Sequence, residues 1–394
     1  MAYELGPLDD AFFTGGVEVH IVELSKALVR MGQSVTFLTG NTPHTKKEVW
    51  IDGIRVIRTE KFGLMKRTWN PDVLTFTRQL LFPPLAVQKI LGFQERFDII
   101  HGHIYTAGLT AYLVGKLKHA VSINTIHGSY YDVWHLLRSK RKARVYKAAE
   151  RIIATLVGKL VDAQIHTESS FAKKVVEWGV GKEKVHVIFN GVNLNRFFPN
   201  KPLTDAIPRD LPIIMTARRL VPKCGVKYLV ESAPIVLKRH KVRFVIIGEG
   251  PEKQKLVKKA KDLGLKIGED ILFLGSLPHE KIPNYMAAAD IVAVPSIVEA
   301  TSVLVMEAMA MEKPVIATNI NGIREITEHL TTSYLVEPRN PKALAEGIII
   351  LLEDKLLSKK IAKKAKEKAR KEFSWENIAK KTLNLYQKTL ALKN

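Results

Sequence analysis

Short apolar runs alternate along almost the whole chain with longer stretches whose apolar residues return every three or four positions. In the first half the runs are Val35 to Leu38, Ile54 to Ile57, Asp98 to Ile100, Val121 to Ile126, Ala163 to His166 and Val185 to Phe189. In the second half they are Ile213 to Thr216, Phe244 to Ile247, Ile271 to Leu274, Ile291 to Val294, Val315 to Ala317 and Ser333 to Val336. Such runs read as strands and the periodic stretches between them as helices, the mark of βαβ units and parallel sheets. Pro199, Pro202, Pro208 and Pro212 punctuate a polar stretch between the two sets. The chain is therefore expected to form two doubly wound α/β domains, over residues 1–204 and 205–374, with a last helix over 375–394. The opening MAYELGPLDDAFF has the length of a first strand but not its apolar pattern.

A length of 394 residues is that of two ordinary domains, each able to bury a core, and 46% apolar with 25% charged residues is a globular composition. No apolar run is long enough to span a bilayer, and the start lacks the basic and apolar regions of a signal peptide, so a cytoplasmic location is expected. One cysteine, Cys224, excludes an internal disulfide and a Cys-rich metal site. Abundant Lys and Glu with few Gln fit a thermophile. The net charge of +22 implies a polyanionic, phosphorylated or acidic-membrane partner without choosing among them. Part of it lies in RSKRKARVYK, Arg138 to Lys147, and part in the lysines from Lys359 to Lys371. The latter flank apolar positions Leu357, Ile361, Ala365 and Ala369, which read as the buried side of a helix with a solvated basic face. No nucleic-acid module accompanies the charge.

Candidate chemistry concentrates in PSIVEATSVLVMEAMAM, Pro295 to Met311, where Glu299 and Glu307 are separated by seven residues. A strand feeds this loop, and Thr301 or Ser302 can begin the helix after it. Free backbone N–H groups and the positive dipole end there suit an anion such as a diphosphate. Other candidates also follow strands or open helices: Gly15 and Gly16; His101, His103 and His127; Arg218, Arg219 and Lys223; and Gly248 with Gly250 in FVIIGEGPEKQKLV. Ligands of parallel α/β folds bind at the carboxyl ends of the strands.

The Glu-x7-Glu segment resembles that of the retaining GT-B glycosyltransferases of family GT4. The similarity extends through TGGVEVHIVELSKALVRMGQSVTFLT, VIFNGVNLNRFFP, TARRLVPKCGVKYL, FVIIGEGPEKQKLV and FSWENIAKKTLNLYQ. The resemblance implies a GT-B fold of two Rossmann-like domains facing a cleft, the last helix crossing back to the first. It implies sugar transfer with retention from a nucleotide-sugar donor, held by the second domain, to a lipid-linked, polysaccharide or small-molecule acceptor. Glu307 would take the ribose and Glu299 the sugar hydroxyls, with His127 against the transferred sugar. Arg219, Lys223, Gly16 and Ser302 would meet the diphosphate, Arg218 being the alternative to Arg219, and Gly15, Gly248, Gly250 and Thr301 would line the cleft. No cofactor and no metal is expected, since Asp-x-Asp is absent and the twelve histidines show no paired metal spacing.

One position departs from the pattern. The family signature Arg-Leu-Val-x-x-Lys-Gly places a lysine where this chain has Cys224, with Lys223 one place early. With the unusual start, this keeps open a non-catalytic polyanion- or membrane-binding subunit; a nucleotide-sugar epimerase is a further alternative. Next to His127, the aromatic residues Tyr130, Tyr131, Trp134 and Leu137 precede Arg138, Arg141 and Lys142, a combination suited to peripheral attachment at an anionic membrane.

Overall fold

The computed structural model describes residues 2–3, 16–41, 46–61, 83–199 and 207–393. They form two compact units, one of residues 1–190 with 375–394 and one of residues 191–374. The division at Asn190/Gly191 lies ahead of the proline-rich stretch. Val192 already belongs to the second unit, bridging to Ser374 and donating from its backbone N–H to the Phe373 carbonyl at 2.7 Å.

In the first unit, β1 (Ala2–Tyr3), β2 (Val35–Asn41), β3 (Glu48–Ile51), β4 (Ile54–Lys61), β5 (Ile99–His103), β6 (Val121–Ile126), β7 (Ala163–His166) and β8 (Val185–Val187) form one sheet. Its order is β3-β4-β2-β1-β5-β6-β7-β8. The first strand does exist, as two residues inserted between β2 and β5 with Ala2 opposite Leu38 and Gly102. The pattern reading missed β3, which runs antiparallel to β4 across Asp52-Gly53. Both turn residues have positive φ, 50° and 79°, as a two-residue hairpin turn requires.

Strand periodicity sends successive residues to opposite faces, and both faces are covered. Phe37 and Val56 pack with Ile21, Leu24 and Leu28 of the helix Gly16–Arg30, while Leu38 and Ile57 pack with Ala107, Ala111 and Val114 of the helix Ile104–Lys118. The C-terminal helix Trp375–Lys393 completes the first face through Trp375, Ile378, Leu385 and Tyr386.

The second unit holds β9 (Ile213–Ala217), β10 (Arg243–Ile247), β11 (Ile271–Gly275), β12 (Ile291–Val294), β13 (Val315–Thr318) and β14 (Tyr334–Val336), all parallel in the order β11-β10-β9-β12-β13-β14. Ile214, Phe244 and Ile316 pack with Leu229, Val230 and Val236 of the helix Val226–Leu237 and with Leu344, Ile348 and Leu351 of the helix Pro341–Glu353. In the lysine-rich helix Lys355–Glu372, Ile361, Ala365 and Ala369 are buried and the lysines lie outside them, as the spacing requires. Among the described residues no helix is long and apolar enough to cross a membrane.

Trp375 is 2% exposed and meets the His20 ring edge-on at 5.2 Å. Trp375→Ala should cost about 3–5 kcal/mol. The loss should appear in the unfolding of the first unit and leave that of the second unchanged, as read by hydrogen exchange of each unit's core amides.

Candidate functional site

In the second unit, four turns at the carboxyl edge of the sheet are held against one another by backbone contacts that exclude side chains. After β9, Arg218 N–H donates to the Ile247 carbonyl at 2.8 Å and Leu220 N–H to the Glu249 carbonyl at 2.8 Å. A Cβ on Gly248 would lie 1.7 Å from the Arg218 carbonyl oxygen, and one on Gly250 would lie 2.4 Å from that of Leu220. Gly225, at φ +66°, faces the Pro295 carbonyl, which a Cβ would meet at 1.8 Å. Ile297 N–H donates to the Lys223 carbonyl at 2.8 Å, and Gly322 leaves room only for the Glu299 and Ala300 carbonyls. Gly248 and Gly250 therefore let the β10 turn approach the β9 turn.

This frame presents the carboxylates. Glu299 lies in the loop after β12, where the Arg218 guanidinium pairs with it and Ser296 Oγ donates to its Oε2 at 3.0 Å. Burial would raise its pKa; the Arg218 and Lys223 charges and these hydrogen bonds outweigh that, and the carboxyl is held below its ordinary value. Glu307, 5% exposed in the helix Val303–Ala310, accepts from His279 Nε2 at 2.6 Å. Arg196 Nη1 lies 3.1 Å from His279 Nδ1. Arginine only donates, so Nδ1 accepts and the Nε2 proton faces Glu307. Arg196 and His279 escaped the sequence reading because neither stands in a motif; only the fold brings residues 196, 279 and 307 together.

Ser302 is the N-cap of the helix Val303–Ala310, yet its hydroxyl makes no capping hydrogen bond. Thr301 and Ser302 are both buried, at 6% and 2% exposure. The first N–H groups of that helix are therefore not taken up by the Ser302 hydroxyl, an arrangement open to an anion. Arg219 is exposed, Lys223 is half-buried, and Cys224 is buried with Sγ 3.8 Å from Arg218 Nη2. Arg218, not Arg219, is the arginine turned inward.

In the first unit, Gly16 opens the helix Gly16–Arg30 and Gly15 lies outside the described residues. His127 follows β6 and joins His103 of β5 and His20 of the helix. His103 Nδ1 and His127 Nε2 lie 2.9 Å apart, and His20 Nδ1 is 2.8 Å from Asn190 Oδ1. His101 is satisfied on both sides, by Tyr386 Oη at 2.6 Å and Thr125 Oγ1 at 2.7 Å, which gives it a structural role. Ring nitrogens of His20, His103 and His127 fall within 4.8 Å of one another, a set able to hold a metal ion. Sequence spacing did not reveal it, because the three come from a helix and two strand ends. Binding there competes with the His103–His127 hydrogen bond, which already occupies one nitrogen of each ring.

Behind His127, Glu150 anchors the loop from Gly128 to Trp134. Its Oε1 accepts from Tyr105 Oη at 3.0 Å, Ser129 Oγ at 2.9 Å and the Tyr130 N–H at 3.0 Å, and its Oε2 from Trp134 Nε1 at 2.6 Å. Burial raises the Glu150 pKa, against these hydrogen bonds. The signal in the sequence was an acid on the buried side of the helix Lys140–Leu160, in line with Ala143, Ala154 and Val157. Trp134 also stacks on Tyr146 at 4.8 Å, and Tyr131 packs on Trp178 at 4.8 Å. These aromatics are thus engaged within the unit. Tyr130 and Tyr146 nonetheless remain partly exposed, and beside them Val145, Ile152 and Leu156 form one exposed stripe of that helix.

Two α/β units, each built on a largely parallel sheet, are the architecture of the GT-B glycosyltransferases. The family model of glycosyl transferases group 1 matches residues 200–371, and that of glycosyltransferase family 4 matches residues 14–196. The chain belongs to this glycosyltransferase family. It is 28% identical to an uncharacterised glycosyltransferase of Methanocaldococcus jannaschii, covering 95% of this chain and 94% of that one. It is 27% identical to the D-inositol 3-phosphate glycosyltransferase of Corynebacterium urealyticum, covering 95% and 90%. The sucrose-phosphate synthase of Thermosynechococcus elongatus shares the fold at a TM-score of 0.81 and 24% identity, covering 96% of this chain and 94% of that one.

The buried histidines make acid stability of the first unit predictable. Burial lowers His20 to about 4 from 6.5, and His166 to about 3. It also carries His101, His103 and His127 well below their ordinary value. Below the unfolded value the unfolded chain binds protons that the folded unit refuses. Stability should therefore be complete above pH 6.5 and fall as the pH drops toward about 4, by about 1.4 kcal/mol per pH unit for each histidine kept neutral. Residues 191–374, the second unit, contain no tryptophan, so tryptophan fluorescence in urea titrations does not report that unit. His20→Gln should flatten the slope by about one proton.

Proposed function

We propose that this glycosyltransferase transfers a sugar with retention at the anomeric carbon, from a nucleoside-diphosphate sugar held by the second unit. The observation that carries this reading is the turn-and-helix segment Pro295–Ala310, with an inward Glu299, a buried Glu307 and a helix start not capped by its Ser302 side chain. In this reading Glu307 accepts from the ribose hydroxyls and Glu299 from those of the sugar. Arg219, Lys223, Ser302 and the helix N–H groups face the diphosphate, where charge grows as the sugar departs. Gly16 is assigned to the diphosphate and His127 to the transferred sugar, and Gly248, Gly250 and Thr301 are assigned to the lining of the ligand's approach. Fixed cations and backbone dipoles are proposed to stabilise the leaving group without a divalent ion.

Thermal stabilisation by UDP, GDP and ADP and their sugars is the decisive first measurement. One base series should stabilise the second unit, equally with and without EDTA. Glu307→Ala should weaken that donor by at least about 1.5 kcal/mol, as loss of a charged hydrogen bond, while Glu299→Ala chiefly depresses turnover. Parent-like binding and turnover in both variants would remove the assignment.

We further propose an acceptor at an anionic membrane surface, met by the helix Lys140–Leu160. Its stripe Val145, Ile152 and Leu156 is 68%, 67% and 46% exposed among Arg141, Lys142, Arg144 and Arg151. Such a helix lies in the interface with its basic residues on anionic headgroups. The protein should sediment with anionic but not neutral vesicles, and Val145→Ser/Ile152→Ser should release it. A protein that stays in the supernatant at low salt would point to a soluble acceptor.

A further inference from the structure

The cation nearest Glu299 is neither of the two that the motif comparison selects. Arg218 leaves β9 at the carboxyl edge of the second sheet, its backbone fixed by the Ile247 carbonyl and crowded by Gly248. Its side chain is 7% exposed. Nη2 pairs with Glu299 and lies 3.8 Å from Cys224 Sγ. Nε and Nη1 are buried with no hydrogen-bond partner among the described residues. Buried donors without partners are costly, above all on a charged group, and are found where a ligand completes them.

Cys224 gives this arrangement its meaning. It occupies the lysine position of the signature, and its sulfur touches the Arg218 guanidinium. A lysine side chain grown from position 224 would bring a second cation to a guanidinium that has one carboxylate to balance it. Arg218 and a lysine at 224 are therefore alternatives for one place.

We propose that Arg218 binds the donor diphosphate in this chain beside Arg219 and Lys223, taking the role vacated at Cys224, with Nε and Nη1 donating to phosphate oxygens. The inference rests on the donor-binding reading above and adds the residue that carries it. Burial would lower the Arg218 pKa, but Glu299 and the cysteine outweigh it and raise it, so the guanidinium stays charged when empty. Unlike a lysine reaching in from solvent, it is fixed before the ligand arrives, so little side-chain freedom is lost on binding.

The test compares nucleoside diphosphates with nucleosides, which differ only in the group Arg218 is assigned to hold. For whichever of ADP, GDP and UDP binds the wild type, the affinity ratio to its nucleoside should fall at least about tenfold in Arg218→Gln, with nucleoside affinity unchanged. Cys224→Lys in that background should recover part of the ratio, whereas Cys224→Lys with Arg218 intact should not raise it. Should Arg218→Gln be too unstable to titrate, Arg218→Gln/Glu299→Gln removes both charges of the pair and should show the same fall. A purely structural role would weaken nucleoside and diphosphate alike, so an unchanged ratio overturns the assignment of Arg218 alone. A wild type that binds none of the three overturns the donor reading and this inference with it.

Discussion

The second unit depends on backbone meeting backbone at the carboxyl edge of its sheet. Gly225 against the Pro295 carbonyl and Gly322 against those of Glu299 and Ala300 fix the loop that bears Glu299, while Gly248 and Gly250 bring the β10 turn onto the β9 turn. No side chain mediates these contacts, so they leave little freedom to absorb a change. Rigid turns are what a group needs in order to be aimed before its ligand arrives, since reorganisation at the moment of reaction is then small. Glycine is required here by the approach itself, and the positive φ of Gly225 is a second, independent requirement.

On that frame neither carboxylate is idle. Glu299 is neutralised by Arg218, and Glu307 is held by a His279 whose tautomer Arg196 dictates. Charged groups this deeply placed are costly alone and tolerable in pairs. Each partner therefore does two things: it makes the empty site stable, and it fixes the direction in which the carboxylate's remaining lone pairs point. A donor that hydrogen-bonds to Glu299 meets an acid already oriented and already charged.

Much of this was legible from the chain. Apolar runs gave all the long strands of both sheets because parallel strands are buried on both faces, which leaves continuous apolar stretches. β3 escaped because an exposed edge strand carries no such run; its signal was the Asp52-Gly53 turn into β4. Glu299, Glu307 and Ser302 were visible because strand, loop and helix start are local. Arg218, His279, Glu150 and the His20–His103–His127 cluster were not, since their roles arise from contacts between distant segments. Choosing between Arg218 and Arg219 needed the direction of a side chain, and adjacent residues at the end of a strand point oppositely.

The net charge of +22 carries less information about the site than its size suggests. Most of it is on solvated faces, such as the lysines of the helix Lys355–Glu372, where salt screens beyond about 8 Å at physiological ionic strength. The Arg218–Glu299 pair is mostly buried, which shields it from that screening. A surface field of this sign raises the encounter rate of anionic ligands or surfaces, and discrimination falls to the few buried groups. Composition thus speaks to what the protein approaches, and the geometry behind Pro295 to what it holds.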